Sequence, residues 1–163
     1  MGRPDRLRIP HDPDPEGRFH HVGRTPDGRQ FLAFVTGAFE YDPVAATQRW
    51  DGEKKWLAVV HIFAPDGAHL GTETRLGGFD HEGRLLAGSK AWDELGDLLA
   101  EVGLAGCLPG DINVAPFELV RDGVLYGLIY ESYGDDGEEH ELVMLEPNDV
   151  MFHPPWDSGQ FST

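Results

Sequence analysis

KWLAVVHIF, residues 55–63, decides the fold. Neither alternating face of this stretch is polar. Trp56, Ala58, Val60 and Ile62 make one face, and Leu57, Val59, His61 and Phe63 make the other. A strand that is apolar on both sides belongs in the middle of a structure, with both faces covered. Ala64-Pro65-Asp66-Gly67 follows, then AHLGTETRLGGF. Proline presets φ and glycine supplies positive φ, so the pair reads as a hairpin. The same Pro-Asp-Gly turn at 26–28 joins strands expected near 18–23 and 30–36. Between the two hairpins, YDPVAATQRWDGEKK is a polar connection with room for one helical turn.

Downstream the pattern changes period. In SKAWDELGDLLAEVG, residues 89–103, Trp92, Leu95, Leu98, Leu99 and Val102 recur at spacings of three and four. That predicts one amphipathic helix with an apolar stripe. Ser89 is its expected cap and Gly103 its expected left-handed terminator. Asp122-Gly123 then splits two apolar runs, a strong hairpin signal. GDDGEEHE makes a polar turn into HELVMLEP, residues 140–147. Strands, one helix, then more strands predict an α+β domain: a mostly antiparallel sheet built from hairpins, with the helix packed on it. Residues 1–18 are rich in Pro, Asp and Arg and lack periodicity. They read as an extended or disordered arm, leaving 19–163 as a single domain.

Charge is unevenly placed. The net charge is −16. Residues 1–30 carry six Arg against five acids, whereas residues 91–163 carry only Arg121 against sixteen acids. Such a half repels phosphates and anionic lipid, so direct nucleic-acid or membrane binding is not expected. It would attract a basic protein. The expected docking carboxylates are Asp93, Glu94, Asp97 and Glu101 on the helix, with Asp135, Asp136, Glu138 and Glu139 in the late hairpin. Inhibitors of nuclease-type toxins and antagonists of transcription activators mask basic partners in this way, and charge speeds their association. Plain solubility is the simpler reading of the same acids.

Few catalytic signatures are present. There is no phosphate-cradling glycine loop and no Gly-x-Ser-x-Gly elbow. His81-Glu82 and His140-Glu141 lack a second His one turn on. The acidic loop 131–141 does not match a calcium-binding pattern and reads as a solvated hairpin tip. Cys107 lies among Gly106, Leu108 and Pro109, which suggests a small buried residue rather than a nucleophile. His61, His69, His81 and Asp80 are the right types for zinc but follow no compact ligand spacing. The simpler expectation is a hydrogen-bonded core His61 with exposed His69 and His81. Core packing also accounts for Trp56 and Trp92. A second functional reading remains: a small metal- or ligand-binding enzyme with a cleft lined by His61, Tyr126, Tyr130, His153, Trp156 and Asp157. No cofactor is expected. No apolar run approaches the roughly 18 residues needed to span a bilayer. Nor is there an apolar leader in the first 18 residues. A cytoplasmic location is the resulting expectation.

The chain closes on EPNDVMFHPPWDSGQFST, residues 146–163. Pro154 and Pro155 keep it out of a helix or a central strand. Phe152 and Trp156 are thus expected in a groove of the sheet, as a latch; a partner-binding edge and a catalytic site are the alternatives. KWLAVVHIFAPDGAHLGTET, the helix ending LLAEVG, DINVAPFELVRDGVLYGLI and this tail, taken together, resemble small actinobacterial formate hydrogenlyase regulatory proteins. The resemblance spans residues 20–163 and is most specific at Phe152–Asp157 and around Asp66-Gly67. It departs at Ser158-Gly159, where the family pattern has Gly directly after Trp-Asp, and at the final QFST. It implies a regulator of a formate-oxidising, hydrogen-evolving complex. With no basic recognition helix or zinc knuckle in the sequence, such regulation would run through protein contact.

Overall fold

The two faces of the 55–63 strand meet different layers. The computed structural model describes residues 2–104, 106–135 and 137–163. Its elements are β1 (Leu7–Ile9), β2 (His21–Arg24), β3 (Gln30–Ala38), β4 (Tyr41–Asp42), β5 (Thr47–Gln48), β6 (Lys55–Phe63) and β7 (His69–Phe79). After a 3-10 turn at Asp80–Glu82 come α1 (Arg84–Glu101), β8 (Leu108–Pro109), β9 (Ile112–Val114) and β10 (Phe117–Arg121). Then follow β11 (Val124–Asp135), β12 (Glu138–Glu146), β13 (Val150–Phe152) and β14 (Phe161–Ser162). This is a mostly-β α+β fold with one α-helix among the described residues.

Two five-stranded antiparallel sheets carry it. The first has the order β7-β6-β3-β2-β8, the second β10-β11-β12-β13-β14. Ala58 and Val60 pack with Leu95 and Leu98 of α1. Leu57, Val59 and Phe63 join the core that holds Tyr126, Leu128, Val143, Leu145 and Phe152 of the second sheet. The order is therefore helix, sheet, sheet, with β6 inside the middle layer as its two apolar faces require. Three of the four predicted turns are present, at 25–29, 64–68 and 121–124; the fourth, in GDDGEEHE, runs through Asp136, which lies outside the described residues. The expected helical turn between the hairpins is instead the short β4–β5 pair.

The helix begins at Arg84, five residues before the expected cap, so Ser89 lies inside it. Gly83 (φ 115) turns the chain in, with no side-chain cap. Gly103 does terminate it at φ 75. Gly103 donates to the Ala100 carbonyl and Leu104 to that of Leu99, which satisfies two end carbonyls in a Schellman arrangement.

Which face α1 buries also differs from the expected stripe. Ala87, Ala91, Leu95 and Leu98 are buried, while Trp92 is 50% exposed. The cause lies across the interface on β7. A Cβ on Gly77 would stand 2.5 Å from the Ala91 backbone nitrogen and 2.7 Å from the Ala87 carbonyl oxygen. Glycine facing alanine lets the backbones come this close, and no indole fits between them. Gly77→Ala is thus expected to cost about 2 kcal/mol, the scale of overpacking against backbone. Gly96→Ala, on the same helix with open space at its Cβ, should gain about 0.5–1 kcal/mol. Urea titration of the two variants reads both signs; a neutral Gly77→Ala would mean the helix can shift outward freely.

The N-terminal arm is extended and ordered rather than loose. β1 pairs antiparallel with β9, Leu7 opposite Val114 and Ile9 opposite Ile112. Leu7, Ile9 and Phe19 are fully buried. The tail does more than latch. β13 pairs with both β12 and β14, so residues 150–162 supply two strands of the second sheet. Phe152 is fully buried, and Trp156 is 8% exposed.

Candidate functional site

Helix α1 places the first set of candidate residues. Asp93, Asp97 and Glu101 follow each other at spacings of four, so they form one line on its outer surface. Trp92 lies on another side of the helix, about 100° or more around from that line, and faces His21 at 6.3 Å. Asp93 and Asp97 are exposed, and Glu94 is half-buried. Glu101 is drawn to Arg75 of β7 at 2.5 Å. The late-hairpin acids lie elsewhere. Glu138 and Glu139 begin β12, in the second sheet, and Glu138 approaches His140 at 3.8 Å. Asp136 and the side chain of Asp135 lie outside the described residues. The expected carboxylates therefore make two patches on different layers, not one face.

The charges on α1 run against the helix dipole. Its first turn holds no acid, and its last turn holds no base. Arg84 and Lys90 sit in the first half, the four acids in the second. Carboxylates near a helix C-terminus oppose the partial negative charge of its free carbonyls, typically at 0.3–1 kcal/mol each. Arg121, the only base in residues 91–163, donates to the Thr72 carbonyl oxygen on β7.

The six residues of the alternative cleft do not converge. His61 is fully buried between the sheets, its ring 4.9 Å from Phe117 and 6.2 Å from Tyr126. Burial pushes the Tyr126 hydroxyl up to about 12. Tyr130 instead donates to Glu141 at 2.7 Å and packs edge-on to Trp156. The Trp156 indole donates to the Gly2 carbonyl at 3.1 Å. His153 pairs with Ser162 at 2.7 Å, and the Asp157 backbone carbonyl faces Arg8. Three of the six, His61, Tyr126 and Trp156, are thus core groups, Tyr130 packs against that core, and His153 and Asp157 lie toward the surface.

The zinc candidates fall in two separate pairs, His61 with His69 and Asp80 with His81. Thr72 Oγ1 lies 2.7 Å from His61 Nδ1 and 2.8 Å from His69 Nε2. His69 is half-buried, not exposed, and stacks on Phe117 at 4.0 Å. His81 pairs with Glu53, while Asp80 accepts from the Trp56 indole. Among the described residues no three His, Cys, Asp or Glu come together as a metal-ligand group. Nor is any helix among them long and apolar enough to cross a membrane.

A different cleft carries the second cluster of chemistry-bearing side chains. A hollow of about 600 Å³ opens between the C-terminal half of α1, the β2–β8 edge and the N-terminal arm. His11, His20, His21 and Cys107 reach into it beside Phe31, Leu99 and Leu104. Cys107 is only half-buried here, contrary to expectation, because it forms part of this wall. The imidazoles are close: His20 to His21 is 4.7 Å and His11 to His20 is 6.2 Å between ring centres. His20 Nδ1 is buried without a hydrogen-bond partner. Burial, then neighbouring His20, holds His21 below the usual histidine range. The doublet His20-His21 is the one local signal for this wall, and it falls within the stretch expected as a strand near 18–23. No family model, curated protein or solved structure matches the chain.

Proposed function

We propose that this is an acidic, non-enzymatic interaction protein that masks a basic partner, in a regulatory or inhibitory role. The reversed charge order on α1 is the observation that carries this reading. Glu101 in the last turn opposes the helix dipole, and Asp93, Asp97 and Glu101 repel one another at successive spacings of four, so a cationic surface laid over that line would offset the cost. Such local conflicts are expected where a surface serves binding rather than stability. Trp92 supports the reading. A half-exposed indole on the same helix as the acidic line has the make-up of an interface anchor.

Charge reversal separates this role from simple solubility. Asp93→Lys with Asp97→Lys should raise the melting temperature, because Lys is a better helix former than Asp and the repulsion of Asp97 by Asp93 and Glu101 is removed. The same variant should lose the basic proteins that the wild-type chain captures from host extract at low salt. Capture should also fall with added salt and with Trp92→Ala. If the double variant keeps every captured protein, or the captured set is acidic, the reading is wrong. Regulation of a formate-oxidising complex is one form this role would take; the captured partner decides it.

A further inference from the structure

We infer that the cleft between α1, the β2–β8 edge and the N-terminal arm binds a small monocarboxylate with an apolar tail. Its size is right: about 600 Å³ falls within the range of small-molecule sites. Its composition is unlike the rest of the molecule. The chain has 29 acidic residues, yet no described residue lining the cleft is Asp or Glu. Phe31, Leu99 and Leu104 offer apolar walls, and the polar groups are gathered as three imidazoles and a thiol.

His20 says what the head group must do. Buried polar atoms are nearly always hydrogen-bonded, and His20 Nδ1 has no partner within the protein. That nitrogen is also shielded from water, so a turn of the ring toward the cleft would present its N–H to a carboxylate there, with the added strength of a charge-assisted bond. Backbone carbonyls and neighbouring acids do not fill that role here. Anions are repelled from most of this surface, so a place free of carboxylates and rich in donors selects for them. An apolar tail would then lie along Leu99 and Leu104 beside the helix.

Binding should also take up protons, because a bound anion favours imidazolium. The groups facing the site come from every wall. The arm supplies His11 and His20, with Glu16 and Arg18 at a neighbouring hollow. β2 supplies His21, and Cys107 comes from the segment before β8; Asp111 lies outside the lining, its carboxylate accepting the His11 backbone N–H. None of the α1 residues lining the cleft is charged.

Calorimetric titration of the full chain with decanoate, and with decanol as the uncharged control, tests the site. Decanoate is expected to bind saturably at one site, and at least about tenfold more tightly at about pH 6 than at about pH 8. His20→Phe should weaken decanoate about tenfold and leave decanol unaffected. Gly96→Phe provides the variant that keeps its fold. Gly96 lines the cleft, and its Cβ would meet nothing within 4 Å. The new ring should occupy the hollow and abolish binding without lowering the melting temperature, since the glycine penalty in the helix is relieved as well. Equal affinity for decanol, indifference to Gly96→Phe, or no saturable decanoate binding would each overturn the inference.

Discussion

Deleting residues 151–163 leaves a chain that does not fold at room temperature. The segment holds most of β13 and all of β14. Phe152 is fully buried and stacks on Phe19 at 5.6 Å. Phe19 in turn meets Phe161 edge-on at 5.0 Å. The Trp156 carbonyl accepts the Arg8 N–H at 2.9 Å, so the tail also holds β1 in place. Its loss opens the inter-sheet core, exposes the edge of β12 and frees the arm. Removing one buried aromatic costs about 3–5 kcal/mol. Two of them, with a strand, approach the whole stability of an ordinary domain, about 5–15 kcal/mol. Phe152→Ala is the milder version, with an expected loss of about 4 kcal/mol in a urea titration. A deletion chain with the wild-type melting temperature would instead make the tail a separate binding segment.

What could be read in advance follows the range of the forces involved. KWLAVVHIF announced a central strand because its pattern is local, and so did the Pro-Asp-Gly and Asp-Gly turns. The helix was legible from Leu95 and Leu98. Its register was not, because Gly77 on another element decides that Ala87 and Ala91 turn inward and Trp92 outward. β1, β13 and β14 were missed for a related reason. They are two or three residues long and exist only through partners far along the chain. Leu7 and Ile9 flank one arginine in a Pro- and Asp-rich stretch, too short to show a period. The candidate sites divide in the same way. The acids of α1 share one element, so their line could be drawn from spacing. His11, His20, His21, Leu99 and Cys107 meet only after four segments pack, and nothing in their spacing foretells it.

His61 should make this protein acid-sensitive in a way a second group conceals. The likeness to an ordinary core histidine ends at Nε2, which is buried with no partner. With the proton on His61 Nδ1, that N–H donates to Thr72 Oγ1 and the Thr72 hydroxyl donates to His69 Nε2. Nε2 is then a bare lone pair among Phe34, Phe63, Phe117 and Tyr126. Protonating it would bury a cation with no acceptor. Burial, aided by His69 and Arg121, lowers His61 from 6.5 to about 3. Because the folded value is depressed, the unfolded chain binds the proton first. Stability is fully present above 6.5 and falls as pH drops toward 3, with a limiting slope of about 1.4 kcal/mol per pH unit. Glu146 acts with the opposite sign. Burial, then Asp149 and Glu131, raise it from 4.5 to about 7. The folded chain takes up that proton first, so stability falls as pH rises from 4.5 to 7. Its carboxyl is partly exposed, which reduces the effect to about 1–2 kcal/mol. Between 4.5 and 6.5 the two trends offset each other, and the wild-type curve flattens. Differences between variants separate them. His61→Leu should gain on wild type steadily as pH falls below 6.5. Glu146→Gln, which keeps an oxygen for the Gln48 amide, should gain on wild type as pH rises above 4.5. Urea midpoints across about pH 4 to 8 give both curves. A pH-independent His61→Leu difference would mean that water or a protein group reaches Nε2 after all.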